Sequence, residues 1–322
     1  MEIKSTAIIG MGALGILYGS YIRKQCGNDA VCFVMDEKRA EKYKDTVVTC
    51  NGEEEQFQIV ADSEAKPADL VIVAVKYAQS MSQSMSRSDV DYSGLHDALE
   101  VMRNCVGENT TIISVLNGIS SEEIIGARYG MEKIIYTVAQ GMDAMKFANA
   151  LNYTRMGNLH IGRTKGCDNE RFDALIRFFD AIKMPYVYEE DILYRMWGKF
   201  MLNVGINQTC MVYQTTYSGA LSSGAANRTL IAAMREVIAL ANAEGVGLSE
   251  KDLNDYIEVI KTLKPDGTPS MGQDRINKRA SEVELFAGTV IALAKKHGLY
   301  VPENEFLLEQ VREIEKEYAV GK

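Results

Sequence analysis

"AIIGMGALG", Ala7 to Gly15, is an apolar strand pattern that runs directly into glycines spaced GxGxxG, at Gly10, Gly12 and Gly15. The first glycine permits a tight turn, the second lets the backbone approach a pyrophosphate, and the third lets helix and strand pack closely. A helix starting there turns free N–H groups and a positive dipole end toward an anion. A downstream acid completes the pattern: Asp36 lies 21 residues after Gly15, at the end of the second apolar run. The stretch therefore reads as the opening of a dinucleotide-binding βαβ unit, with Gly10, Met11, Gly12, Ala13, Leu14 and Gly15 at the phosphates and Asp36 at the adenosine ribose.

Working outward, "TAIIG", "AVCFVM", "DLVIVAV", "TTIISVL" and "KIIYTVA" are short Val- and Ile-rich runs with little alternation. That is the pattern of strands buried on both faces of a parallel sheet. Segments such as "ALGILYGSYIRKQ" and "EEIIGARYG" supply crossover helices. A further strand and helix, "NLHIG" and "ERFDALIRFFDAI", extend this half to "MPYVYEED". From about Asp191 the pattern is helical, through "ILYRMWGKFMLNVGINQ" to "ENEFLLEQVREIEKEY". Ser249 with Asp252 has the spacing of a helix-start cap, and Gly245 and Gly298 sit where C-terminal caps belong. "KPDGTPS" reads as a loop between helices. The expected fold is α/β: a doubly wound parallel sheet over 1–190, followed by an all-helical domain over 191–322.

A chain of 322 residues, 47% hydrophobic and 25% charged, buries a substantial core and is not intrinsically disordered. The formal net charge of -9 disfavours nonspecific attraction to nucleic acid or to an anionic membrane. No apolar run reaches the ~18 residues that a membrane span needs. The six cysteines contain no CxxC pair and the three histidines are far apart, so a metal site is not expected and the thiols suit a reducing compartment. The expected setting is the cytoplasm, with no nucleic-acid or membrane partner.

Two polar residues leave strands on the edge where open α/β sheets bind ligands: Lys76 closes "LVIVAVK" and Asn117 closes "IISVLNG". In the helical half, "WGKFMLNVGIN" carries Lys199, Asn203 and Asn207 at intervals of four. Residues four apart stack along one helix face, so the three form a polar stripe on an apolar helix. Alone, such a stripe reads as a face meeting solvent or a neighbouring domain. The acid clusters "NGEEEQ" and "EEDI" read as solvated loops and "SSEEI" as a helix start.

These residues together resemble the ketopantoate reductase family. The resemblance covers essentially the whole chain: "GMGALG", "VK" at Lys76, "NG" at Asn117, "WGKFMLNVGIN", "SMGQDRINKRASEVELFAG" and "VPEN", in that order. It implies a Rossmann domain followed by a helical domain, an active site between them, and NADPH-dependent reduction of ketopantoate (2-dehydropantoate) to pantoate in pantothenate biosynthesis. Carried over position by position, it makes Lys199 the general acid and Glu282 its acidic partner. Asn203, Asn207 and Ser270 become substrate-binding residues, Lys76 and Asn117 cofactor-binding ones, and Gly141 the point where backbone meets cofactor. The family's general habit also points to a homodimer, although nothing in the apolar spacing demands one. Two departures stand out. Family members commonly carry a basic residue where Asp36 stands, which leaves NADH open beside NADPH, while Lys38, Arg39 and Lys42 are nearby cations able to neutralise a phosphate. Ala287-Gly288 replaces the usual Asn-Gly.

The chemistry fits the stripe. Hydride reduction of a ketone builds negative charge on the carbonyl oxygen, which an ammonium both stabilises and protonates. Neutral amides and a hydroxyl suit the carboxylate and hydroxyl groups of a small 2-oxo acid. Two rivals remain: a related reductase acting on another 2-oxo acid, and a non-catalytic dinucleotide sensor, against which the intact Lys199 and Glu282 argue.

Overall fold

The computed structural model of the chain describes residues 1–76, 90 and 92–320. The strands are β1 (Thr6–Ile9), β2 (Val31–Met35), β3 (Val48–Cys50), β4 (Glu53–Glu55), β5 (Gln58–Ala61), β6 (Leu70–Val73), β7 (Thr111–Ser114), β8 (Ile134–Gln140), β9 (Met145–Phe147), β10 (Ala150–Asn152), β11 (Asn158–Gly162) and β12 (Tyr186–Tyr188). The helices of this part are α1 (Ala13–Cys26), α2 (Glu37–Lys44), α3 (Ser93–Val101), α4 (Ser121–Tyr129) and α5 (Asn169–Ala181). Then follow α6 (Ile192–Tyr213), α7 (Tyr217–Leu221), α8 (Ala225–Ala243), α9 (Glu250–Lys261), α10 (Ser270–Ile276), α11 (Thr289–His297) and α12 (Pro302–Val320).

Two compact units divide the chain at Ile192 and Leu193, with Val90 and Tyr92 grouped with the second. In the first, eight strands form one sheet in the order β12-β11-β8-β7-β6-β1-β2-β5. The neighbours from β8 to β5 all pair in parallel, whereas β11 runs antiparallel to β8. Strand β1 sits between β2 and β6 in register, with Ile9 opposite Val34 on one side and Val73 on the other. The chain winds outward from β1 in both directions, so the order reverses at β1 and β6, where a crevice opens at the carboxyl ends. β1, β6 and β7 are buried along their whole length, as uninterrupted apolar runs require.

A second, four-stranded sheet, β4-β3-β10-β9, was not legible in the sequence. Its strands are three residues each, and "NGEEEQ", expected as a solvated loop, folds into one of them. Glu55 there is buried, accepting hydrogen bonds from Ser20 Oγ at 2.5 Å and Arg23 Nε at 2.8 Å. The acid cluster thus hides one acid that fastens the small sheet to α1.

The second unit is helical. The expected caps are present: Ser249 and Asp252 form a reciprocal capping box at α9, and Gly298 ends α11 in the left-handed conformation with φ of +65°. Lys264 to Pro269 form the loop between α9 and α10. Before α11 the helix takes one π turn, Glu284–Gly288. Among the described residues no helix is long and apolar enough to cross a membrane, and no cluster of His, Cys, Asp or Glu could hold a metal ion.

Candidate active site

In the first unit the glycine-rich loop leaves β1 at the switch point, and its three glycines do different work. Gly10 has φ of +104°, and a Cβ there would lie 2.5 Å from the Ala74 carbonyl oxygen beyond β6. Gly15 passes so close to the loop that a Cβ would lie 2.0 Å from the Gly10 carbonyl oxygen. Both are demanded by the protein's own backbone. Gly12 differs: its φ of -79° suits any residue, and a Cβ would meet only the Ala74 carbonyl oxygen, at 3.6 Å. The space above it is open, at the N-cap of α1, whose first turn carries no acid. Ile16 N donates to Gly12 O at 3.0 Å, closing the first turn and leaving the earlier N–H groups without helical acceptors. Bare backbone, orphan donors and a positive dipole end suit the pyrophosphate of a dinucleotide.

Asp36 follows β2 and caps α2, accepting from Arg39 N at 2.9 Å, with Arg39 Nε 3.4 Å from its other oxygen. The acid therefore stands at the ribose position of such a fold with a guanidinium beside it. Lys76 follows β6 by three residues and is exposed; Asn117 follows β7 by three and is half-buried. Gly141 directly follows β8 with φ of +83° and packs near Gly157. Because β1, β2, β6, β7 and β8 are parallel, all these residues gather on one edge of the sheet.

Two residues of this edge escaped the sequence. Lys146, on β9, donates from Nζ to the Met11 carbonyl inside the glycine-rich loop at 3.0 Å. Burial, with Lys42 adding repulsion, lowers its pKa. Its signal lay in a strand too short to recognise. Glu122, in the first turn of α4, is buried and its pKa is pushed up to about 7 by desolvation, against opposing hydrogen bonds from Ser121 and the backbone. Ser121 Oγ donates to it at 2.8 Å and shares a 2.8 Å hydrogen bond with Ser114 Oγ at the end of β7. "SSEEI" is the helix start expected, but one of its acids points inward.

In the second unit α6 carries the polar stripe. Lys199 and Asn203 are half-buried and Asn207 is 5% exposed. Neither asparagine side chain hydrogen-bonds to another described residue, so both amides keep their hydrogen-bonding capacity open. The flanking apolar residues fix the helix: Trp197 is 6% exposed and meets Phe200 edge-on at 5.9 Å, while Phe200 lies 6.4 Å from Phe286 of the π turn.

Glu282 is half-buried and leads into that π turn, its carbonyl accepting from Phe286 N at 3.1 Å. Ala287 N donates to Gln208 Oε1 at 3.2 Å, and Gln208 Nε2 donates to Val204 O and to Asn304 Oδ1. Asn304 in turn donates to Glu236 at 2.7 Å. Gln208 sits beside Asn207 in sequence but on the covered side of α6, fully buried, so the helix that bears the stripe is tied to the turn that bears Glu282. Ser270 is the first residue of α10 and exposed. Lys199, Asn203, Asn207, Ser270 and Glu282 thus all belong to this unit, and the glycine-rich loop, Asp36, Lys76, Asn117 and Gly141 to the other.

Comparison with known proteins adds the family. The model described as "Ketopantoate reductase PanE/ApbA" matches residues 6–86 and 92–166, and that described as "Ketopantoate reductase PanE/ApbA C terminal" matches 191–315. The chain is similar to the 2-dehydropantoate 2-reductase of Streptococcus pyogenes serotype M3, 23% identical over 309 residues covering 94% of this chain and 95% of the relative. Among solved structures, it resembles a PanE/ApbA family ketopantoate reductase from Ralstonia eutropha JMP134 (TM-score 0.78, 21% identity, 98% and 99% of the two chains). It also resembles D-mandelate dehydrogenase in a ternary structure with NADH and anilino(oxo)acetate (TM-score 0.82, 21% identity, 98% and 99%).

Proposed function

The chain belongs to the ketopantoate reductase family, a family of nicotinamide-dependent oxidoreductases, and from that premise we propose that it reduces the ketone of 2-dehydropantoate to pantoate in the cytoplasm. The observation that carries the reading is α6, where Lys199 shares one face with two asparagines whose amides have no partner among the described residues. The dihydronicotinamide, when bound, supplies the hydride to the carbonyl carbon. As the C–O π pair moves onto oxygen, the Lys199 ammonium stabilises the growing charge and passes a proton from Nζ to that oxygen. Asn203, Asn207 and Ser270 supply neutral donors and acceptors for the carboxylate and hydroxyl of the acid. Glu282 holds the lysine by opposite charge, and Gln208 anchors the π turn that Glu282 leads into.

NADPH is the proposed reductant, with Lys38 and Arg39 close in sequence to the ribose position. Asp36 favours a second reading, in which NADH serves the same chemistry, as the NADH named with D-mandelate dehydrogenase also suggests. The substrate has a matching second reading, another 2-oxo acid. A spectrophotometric assay of ketopantoate with each reduced dinucleotide, then of a panel of 2-oxo acids, tests all of these. Fastest turnover with ketopantoate is expected. Faster turnover of another acid replaces the substrate, and dinucleotide binding without turnover of any acid overturns the enzymatic reading in favour of a sensor.

A further inference from the structure

Lys146 stands apart from the residues so far given a role. The small sheet that carries it is fixed to α1 through Glu55, which holds Arg23 Nη2 at 2.6 Å as well as Ser20. From that fixed base Lys146 reaches the glycine-rich loop and spends one of its three N–H donors on the Met11 carbonyl, at 3.0 Å. No carboxylate lies within 4.0 Å of its Nζ among the described residues, and the first turn of α1 has no acid. Lys42 adds a second positive charge near enough to disfavour the first. A half-buried ammonium with no carboxylate partner among the described residues, bonded to the loop that leads into the N-terminus of α1, is a local excess of positive charge that an anion relieves.

We infer that Lys146 is a phosphate-binding residue of the dinucleotide site, closing over the phosphates from the small sheet while the N-terminus of α1 holds them from the other side. The assignment rests on the nicotinamide reading above, since the dinucleotide is what brings a phosphate to this loop. Its two phosphate sources are the pyrophosphate, common to NADH and NADPH, and the 2′-phosphate, present in NADPH alone.

The test is direct titration of the full chain with NADH and with NADPH, followed by nucleotide fluorescence, for wild type, Lys146→Gln and Lys146→Arg, each with a thermal melt. Glutamine keeps an N–H for Met11 and loses the charge, whereas arginine keeps the charge. Losing a charge-assisted hydrogen bond should raise the dissociation constant of Lys146→Gln roughly 10- to 100-fold, with the arginine variant close to wild type. Equal weakening for both nucleotides places the lysine on the pyrophosphate; weakening for NADPH alone places it on the 2′-phosphate. A folded Lys146→Gln chain that binds both as tightly as wild type overturns the assignment, as does a Lys146→Arg chain that is equally impaired. A wild-type chain that binds neither nucleotide overturns the nicotinamide reading, and this inference with it.

Discussion

Replacing Gly12 with alanine separates what the loop needs for folding from what it needs for a ligand. The backbone at Gly12 has φ of -79°, which alanine adopts without strain, and the new Cβ would find only the Ala74 carbonyl oxygen, at 3.6 Å. Two small effects on stability oppose each other. Alanine restricts the unfolded chain, worth about 0.4–1 kcal/mol in its favour. Alanine is also the poorer N-cap, costing on the order of 1 kcal/mol. The net change should lie within about 0.5 kcal/mol of zero, the range of substitutions that touch nothing. A phosphate seated on the α1 N-terminus would instead meet a methyl group where it needs bare backbone. Losing one or two charge-assisted hydrogen bonds of about 1.5–3 kcal/mol each weakens binding roughly 10-fold to more than 1,000-fold. Gly15→Ala is the contrast, because its Cβ would lie 2.0 Å from the Gly10 carbonyl oxygen and the loop must shift to admit it. Urea titration and nucleotide fluorescence on both variants read the two quantities separately. Unchanged nucleotide affinity in Gly12→Ala, or a stability loss as large as that of Gly15→Ala, would refute the division of roles.

Lys199→Ala should lower turnover about 10²- to 10⁴-fold with nucleotide affinity nearly unchanged; steady-state kinetics beside a binding titration decide it, and undiminished turnover removes the lysine from the chemistry. Asp36→Arg takes away a carboxylate that repels a 2′-phosphate and should move the NADPH-to-NADH ratio of kcat/KM toward NADPH; an unchanged ratio would show that Asp36 does not govern the choice. The pKa of Glu122 is raised from 4.5 to about 7, so the fold favours its protonated form. The stability this lends is complete below the ordinary carboxylate range and lost as pH rises through 7. Relative to Glu122→Gln the wild type should therefore lose up to about 3 kcal/mol between pH 4 and 8, and parallel melting curves across that range would contradict it. Gln208→Leu leaves the Ala287 N–H buried without its acceptor and should cost about 1–3 kcal/mol by urea unfolding; a smaller cost would mean the π turn finds another partner.

The sequence exposed the elements whose signal is local. The five apolar runs are the parallel strands expected, because burial on both faces leaves no room for polar alternation, and GxGxxG marks the turn because close backbone contacts at Gly10 and Gly15 admit nothing larger. The stripe on α6 was legible for the same reason, its spacing being a property of one helix. What could not be read was pairing at long range. Strands β3 and β10 are three residues each and meet across roughly a hundred positions, so neither shows a period by itself. Lys146 gains its place only through that pairing. Glu55 was hidden in a run that reads as a solvated loop because its partner, Arg23, is distant in sequence, and the helix start at "SSEEI" was legible while the burial of Glu122 within it was not.

The "VPEN" stretch shows how a motif can matter to a site from which it stands apart. Asn304 is fully buried, and with Glu236 and Gln208 it forms a polar chain that ends on the amide of Ala287. A π turn disrupts the regular helical ladder and so requires an acceptor from outside. Gln208 is that acceptor, and because its amide also donates to Asn304, the orientation of one side chain sets that of the next. In such a network every member must be satisfied, since one missing partner strands a buried polar group. Gln208 is therefore held by its partners on the covered side of α6, whereas the Asn207 side chain beside it has no hydrogen-bond partner among the described residues. That constraint gives a physical reason why the helix bearing Lys199, the turn led by Glu282 and the start of α12 form one ordered set of motifs: they share a single buried hydrogen-bonded chain.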